Sequence, residues 1–192
     1  MMDAEVGLVI RDASEADLET ITGIYRHHVL TGLASFELEP PSVDQMRERF
    51  RALMEGGYPY LVAEQDDLVV GYAYAGPYRP RPAYRGTVEN SVYVAPDFAR
   101  RGIGRRLLER LIDAAAEAGF RQMVAIIGDS GNLASVVLHR RCGFADTGVL
   151  KSVGFKFDRW VDTVIMQRPL GDGSATPPGG GLRRNLEGLP GG

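Results

Sequence analysis

Residues 92–120, VYVAPDFARRGIGRRLLERLIDAAAEAGF, run from an apolar stretch that ends at Pro96, through a turn with Gly102 and Gly104 one residue apart, into an amphipathic pattern. Leu107, Leu108, Leu111, Ile112 and Ala115 recur at helical spacing and predict a buried stripe. Arg100, Arg101, Arg105 and Arg106 crowd the turn. A helix start presents unpaired N–H groups and the positive end of the helix dipole, so this turn suits a pyrophosphate. The plainer alternative is that the glycines only shape a tight strand-to-helix connection and the arginines are solvated.

Two phosphate motifs drop out. The G-x-x-x-x-G-K-[ST] loop of nucleoside triphosphate sites has no counterpart here, with no lysine in place. A dinucleotide fingerprint, G-x-G-x-x-G, would need glycine where Leu107 stands, although Asp129, about 25 residues past Gly104, would pass as a ribose ligand. The strand before the turn also follows a hairpin and a long loop, whereas a dinucleotide fold opens on a parallel βαβ series.

Upstream of the turn, GLVIRDA reads as a first strand. Ser14 and Asp17 resemble a capping box that opens a helix to about residue 29, with Leu18, Ile21, Tyr25 and Val29 as its apolar stripe. A second box, Ser42 with Gln45, opens a helix that buries Met46, Phe50, Leu53 and Met54 and stops at Gly56 and Gly57. YLVAEQ and LVVGYAYA, joined by Asp66 and Asp67, predict a hairpin, and a loop rich in Pro and Arg leads to the strand TVENSVYV. Downstream, QMVAIIG is a strand, a short helix runs over about 133–142 to Gly143, and two strands lie within VLKSVGFKFD and DTVIMQR. The order is βααβββαβαββ, an α/β fold in one domain over residues 1–170. Residues 171–192 are rich in Gly and Pro without an apolar period and predict a disordered tail.

Composition narrows the function classes. The chain of 192 residues, 44% hydrophobic, is long enough for one packed domain. Its net charge of −3 argues against general affinity for nucleic acid or anionic membrane, so any basic site is local. One cysteine, Cys142, excludes an intrachain disulfide framework, no Cys/His cluster has metal-site spacing, and a reducing cytoplasm is the expected home. The N-terminus lacks a signal-type apolar stretch, and no apolar run approaches a membrane span.

The turn, read as ARRGIG, resembles the Q/R-x-x-G-x-G/A pattern with which GNAT acetyltransferases hold the pyrophosphate of acetyl-CoA. Ala99 departs from the Gln/Arg position, but the backbone cradle from Arg100 through Gly102, Ile103 and Gly104 to Arg105 does not depend on it. A second GNAT signature, an Asn before a short helix ending in Gly-Phe, appears as GNLASVVLHRRCGF, which puts Asn132 at a coenzyme contact. YLVAE, GYAYAGPYRPRPAY, ENSVYV, VAIIG and GVLKSVGFKFDRW, in that order, are similar to the phosphinothricin and methionine sulfoximine acetyltransferase group. The resemblance implies a twisted, mixed and mostly antiparallel sheet flanked by helices, splayed to admit the pantetheine arm, and a homodimer. It implies acetyl-CoA as co-substrate, no metal, and a small amine as acceptor.

Amide formation from a thioester needs a base for the amine, a donor for the oxyanion and an acid for the thiolate. Glu89, beside the apolar run SVYV, is the expected base, with its pKa raised by burial. His139, on the short helix, stands where many GNAT enzymes have a tyrosine; the resemblance implies that Glu89 and His139 relay the amine's proton. Val92, Tyr93 and Val94, expected as an edge strand, would offer backbone groups to the pantetheine and the acetyl carbonyl. Arg79, Arg81 and Tyr84 in the Pro-rich loop would hold an anionic acceptor, and Phe36 matches a pocket-wall phenylalanine of the group. Cys142 is expected as a buried thiol and His27 and His28 as structural or solvated, so transfer is expected to be direct. Two other readings use the same turn: acetylation of a protein N-terminus or lysine, and a non-catalytic acyl-CoA-binding module.

Overall fold

The computed structural model describes residues 7–178. Its elements are β1 (Val9–Asp12), α1 (Leu18–Thr31), α2 (Val43–Glu55), β2 (Tyr60–Gln65), β3 (Leu68–Pro77), β4 (Thr87–Val94), α3 (Ile103–Glu117), β5 (Gln122–Gly128), α4 (Leu133–Arg141), β6 (Ala145–Lys156) and β7 (Arg159–Pro169). The order is the one the sequence predicts. One sheet of seven strands runs β1-β2-β3-β4-β5-β7-β6. Only β4 and β5 are parallel; every other neighbouring pair is antiparallel.

The two-residue side-chain period of the strands divides the core between the two faces of this sheet. Tyr60, Val62 and Tyr72 pack with Leu18, Ile21, Tyr25, Val29, Met46 and Phe50 of α1 and α2. Leu61, Ala63, Ala73 and Ala75 pack instead with α3 through Leu107, Leu108, Leu111, Ile112 and Ala115. Each of these leucines and isoleucines, taken fully out of water, contributes about 1.5–3 kcal/mol, which is why the stripe of α3 lies flat on the sheet.

The local turn chemistry follows the residues. Asp66 and Asp67 both have positive φ, as a two-residue hairpin turn matched to strand twist requires. Phe157 and Asp158 do the same between β6 and β7. Ser42 and Gln45 form their reciprocal cap on α2. Ser14 and Asp17 also pair, but the box opens a short 3-10 turn that precedes α1. Met54 departs from expectation and is 45% exposed. Eight residues past Met46 it lies about 80° around the helix, at the margin of the stripe that Met46 and Phe50 bury.

Residues 171–178, the start of the expected tail, include a 3-10 turn over Gly173–Ala175. Gly173 is buried, and Pro178 lies close to Gly86. The rest of the expected tail falls outside the described residues. No helix among the described residues is long and apolar enough to cross a membrane.

Candidate active site

β4 and β5 pair only from Thr87 and Gln122 to Asn90 and Ala125. Beyond that rung they part: β4 stays with β3 as far as Val94, while β5 continues beside β7 to Gly128. The fork opens a cavity of about 430 Å³. Val92 and Tyr93 line it. The expectation of an edge strand is therefore corrected: β4 is interior to the sheet, and its last residues lose a strand neighbour only on the β5 side. The Val94 carbonyl is engaged with Nε2 of His28 at 2.9 Å, which gives that histidine a structural role. Burial lowers the pKa of His28.

On the α3 side of the fork, Arg100 and Gly102 have positive φ, and Gly102 caps the helix without a side-chain bond. The N–H groups of Gly102, Ile103 and Gly104 donate to no acceptor among the described residues. A Cβ on Gly104 would sit 3.6 Å from the side chains of Leu138 and Val94, facing the cleft between β4 and α4. A Cβ on Gly102 would meet nothing within 4 Å, so its glycine is required by conformation. Free donors, a left-handed cap and an adjoining cleft fit a pyrophosphate with an extended arm. Arg100, Arg101 and Arg105 are exposed around it. Arg101 donates to the Asp97 carbonyl and Arg105 pairs with Glu109. Asn132 lines the cavity while its side-chain oxygen caps α4 by accepting from the Ser135 N–H.

Glu89 and His139 both line the cavity. Burial pushes the Glu89 carboxyl up, and the charge of Arg79 opposes that rise. His139 is 4% exposed; burial lowers its pKa and the Ser135 carbonyl partly offsets this. Phe36 is part of the wall, in the loop between α1 and α2. A Cβ on Gly128 would overlap the Leu33 carbonyl, and one on Gly154 would run into the Phe36 ring, so this loop approaches the sheet where side chains are absent. Arg79, Arg81 and Tyr84 are exposed and do not line the cavity; only the charge of Arg79 reaches Glu89. Cys142 is buried, with its thiol pKa raised chiefly by burial.

Several residues of the site escape local reading. Lys156 is buried and donates to the Ser35 carbonyl at 2.7 Å, while Tyr25 and Ser35 share a hydroxyl bond at 2.9 Å, so both hold the loop that carries Phe36. Glu37 faces the cavity and pairs with Arg49 at 2.6 Å, and Tyr74 lines the wall from β3. Asn90 is buried, bonded to both β5 and α4. Its signal was present: in a strand it shares a face with Val88, so a polar group falls on a buried face. Among the described residues no group of three or more His, Cys, Asp or Glu is placed to hold a metal ion.

A helix start with free donors beside a splayed parallel pair, with a half-buried carboxylate in the cavity that the pair opens, defines an acyl-transfer type of site on an α/β sheet. Residues 10–165 match the family model "Acetyltransferase (GNAT) domain", and the chain belongs to that family. It is 54% identical over 175 residues to a phosphinothricin N-acetyltransferase of Alcaligenes faecalis, covering 91% of this chain and 89% of the relative. It is 42% identical to an L-methionine sulfoximine/L-methionine sulfone acetyltransferase of Salmonella typhimurium, covering 88% and 98%. A solved phosphinothricin acetyltransferase of Sinorhizobium meliloti, in complex with AcCoA, superposes with a TM-score of 0.89 at 46% identity and covers 94% and 97%.

Proposed function

We propose that the protein is an acetyl-CoA-dependent N-acetyltransferase acting on the amino group of a small amino acid or analogue, such as phosphinothricin or methionine sulfoximine or sulfone, by direct transfer in a ternary complex. The observation that carries this reading is the fork: Glu89 faces the same cavity that the free N–H groups of α3 adjoin. When bound, acetyl-CoA would supply an acetyl thioester: its carbonyl carbon bonds to the neutral amine nitrogen, the C–S bond breaks, and the proton that the nitrogen sheds on becoming an amide leaves with the thiolate as free thiol. The N–H groups of Gly102, Ile103 and Gly104 hold the pyrophosphate, with Arg100, Arg101 and Arg105 adding charge. Val92, Tyr93 and Val94 flank the pantetheine arm, and Asn132 adds a side-chain contact. Glu89 takes the ammonium proton, as a half-buried carboxylate with a raised pKa is suited to do.

Phe36 walls the acceptor pocket, and Arg79, whose charge reaches Glu89, would with Arg81 and Tyr84 receive an anionic group from outside the cavity lining. Two arginines in that loop disfavour polycations. Thiol-release kinetics over a panel of amines tests the reading: turnover is expected with phosphinothricin, methionine sulfoximine or methionine sulfone and is expected to be small with spermidine, kanamycin or peptide N-termini. Acetyl-CoA binding without CoA release on any amine would favour a non-catalytic binding module instead.

The same reading makes the protein a homodimer in a reducing cytoplasm. Its support is the run of exposed apolar residues on β6 and β7, Val149, Leu150, Val153, Phe155 and Trp160, the last by 66%. The sole cysteine is buried as a free thiol, in keeping with that compartment. Light scattering across protein concentrations is expected to give twice the mass of one chain; a monomer throughout removes the dimer and leaves the chemistry untouched.

A further inference from the structure

Past the fork, β4 keeps one strand neighbour and loses the other, and its backbone groups divide between the two sides. In an antiparallel pair, alternate residues aim both N–H and C=O at the partner strand, and the residues between them aim theirs away. The Ala95 N–H donates to the Val70 carbonyl at 2.9 Å, in phase with the pairs Tyr93–Tyr72 and Ser91–Tyr74. Val92 and Val94 therefore aim their backbone groups away from β3, toward the side that β5 leaves after Asn90.

One of those groups has a partner from another layer. Nε2 of His28, on α1, lies 2.9 Å from the Val94 carbonyl. A carbonyl only accepts, so Nε2 carries the hydrogen. The ring makes no other hydrogen bond among the described residues, so no second acceptor competes for that proton. The bond holds in either charge state, because the imidazolium also carries a hydrogen on Nε2. The ring rests against Tyr93 at 5.3 Å between centroids. The peptide unit joining Val94 to Ala95 is thus pinned at both poles, its carbonyl by α1 and its N–H by β3. It closes the strand: Pro96–Phe98 then form the 3-10 turn that leads toward Gly102 and α3. A Cβ on Gly104 would lie 3.6 Å from the Val94 side chain and 4.0 Å from that of Val92, so both residues flank the helix start.

We infer that His28 is a positioning residue for the coenzyme: it stands in for the missing strand at Val94 and holds the end of β4 as an edge to which the pantetheine arm adds. The arm rests on the acetyl-transfer reading; the bond to Val94 does not. An extended ligand carrying amides pairs with such an edge as an added strand would. With the Val94 carbonyl engaged by His28, the Val92 carbonyl is the acceptor left to an N–H of the arm, and this fixes the register of the arm along β4.

Calorimetry on the full chain with two ligands tests this: CoA, which has the arm, and adenosine 3′,5′-bisphosphate, which lacks it. His28→Phe keeps a ring against Tyr93 and removes the donor. It is expected to weaken CoA roughly five- to tenfold, the scale of one hydrogen bond, and to leave the bisphosphate within about twofold. His28→Gln, whose amide N–H falls near the position of Nε2, is expected to restore most of the CoA affinity. Wild-type CoA affinity in His28→Phe, equal losses for the two ligands, or no rescue by glutamine would each overturn the inference. Should His28→Phe fail to fold, proton NMR of the wild type decides. The Nε2–H signal of His28, identified by its loss in His28→Gln, is expected to shift with CoA and to stay in place with the bisphosphate; a signal indifferent to CoA overturns the inference. A wild type that binds neither ligand would remove the acetyl-transfer reading and the positioning role with it, a result distinct from CoA binding that ignores His28.

Discussion

On the α3 side of the fork, the groups suited to a phosphate chain are backbone donors of three consecutive residues, Gly102, Ile103 and Gly104. On the acceptor side, the wall is assembled from side chains of four separate segments: Phe36 before α2, Tyr74 on β3, Glu89 on β4 and Thr163 on β7. The first half needs a backbone shape that many side chains tolerate, since main-chain N–H groups would be the ligands. The second needs particular side chains brought together by the whole sheet. Changes on the α3 side should therefore register in coenzyme affinity, and changes on the other side in acceptor kinetics and pH dependence.

The largest expected effect is at Glu89. Glu89→Gln keeps the shape of the wall and removes the proposed base, so kcat is expected to fall by about 10²–10⁴-fold, with acetyl-CoA affinity by calorimetry close to wild type. A parallel loss of coenzyme affinity would break the division between the two halves.

Gly104 offers the complementary test. Its hypothetical Cβ makes ordinary contacts with Leu138 and Val94, so Gly104→Ala is expected to be mild. Gly104→Val adds branches into the cleft, and overpacking of about 1–3 kcal/mol corresponds to a roughly 5–150-fold loss of CoA affinity. Arg101→Ala removes one exposed charge and is expected to weaken CoA only a few-fold, about the worth of a surface charge interaction. Equal losses from Gly104→Val and Arg101→Ala would mean that charge, and not backbone shape, governs the coenzyme half.

A smaller effect is expected at Lys156, whose buried ammonium donates to the Ser35 carbonyl and so holds the loop of Phe36. Lys156→Met retains the packing of the stem but leaves that carbonyl unpaired. The acceptor KM is expected to rise roughly tenfold, the scale of a lost hydrogen bond to a charged group, while CoA affinity stays constant.

The smallest effect is a displacement in pH. If Glu89 is the base proposed above, it acts only when ionised, so kcat/KM should fall as pH drops through its raised pKa. Arg79 favours the ionised form and holds that pKa down. Arg79→Ala is expected to move the acidic limb to higher pH with little change in the plateau for an acceptor that lacks a second anionic group. A limb that stays in place would separate Arg79 from Glu89.

Element order, the two-aspartate hairpin, the cap of α2 and the stripe of α3 are legible in the chain because each is decided by residues within a few positions of one another. The glycine turn belongs with them, since its donors are consecutive. Glu89 and His139 are legible as chemistry, through resemblance and through their residue types, but their surroundings are not. His139 meets Asn90 across 49 positions, Asn90 meets Val124 across 34, and Lys156 meets Ser35 across 121. Neither the residue that holds the imidazole nor the one that holds the Phe36 loop follows a local period. The exposure of Arg79 and Arg81 was equally hidden, because a basic loop reads the same whether it faces a cavity or water. Sequence alone determined the fold class and the phosphate-suited turn, both carried by neighbours in the chain. Only the tertiary structure decided where β4 and β5 part, that Glu37 and Glu89 both face the cavity, and what holds the imidazole, because those depend on strand register and on buried polar groups that find partners far away in sequence.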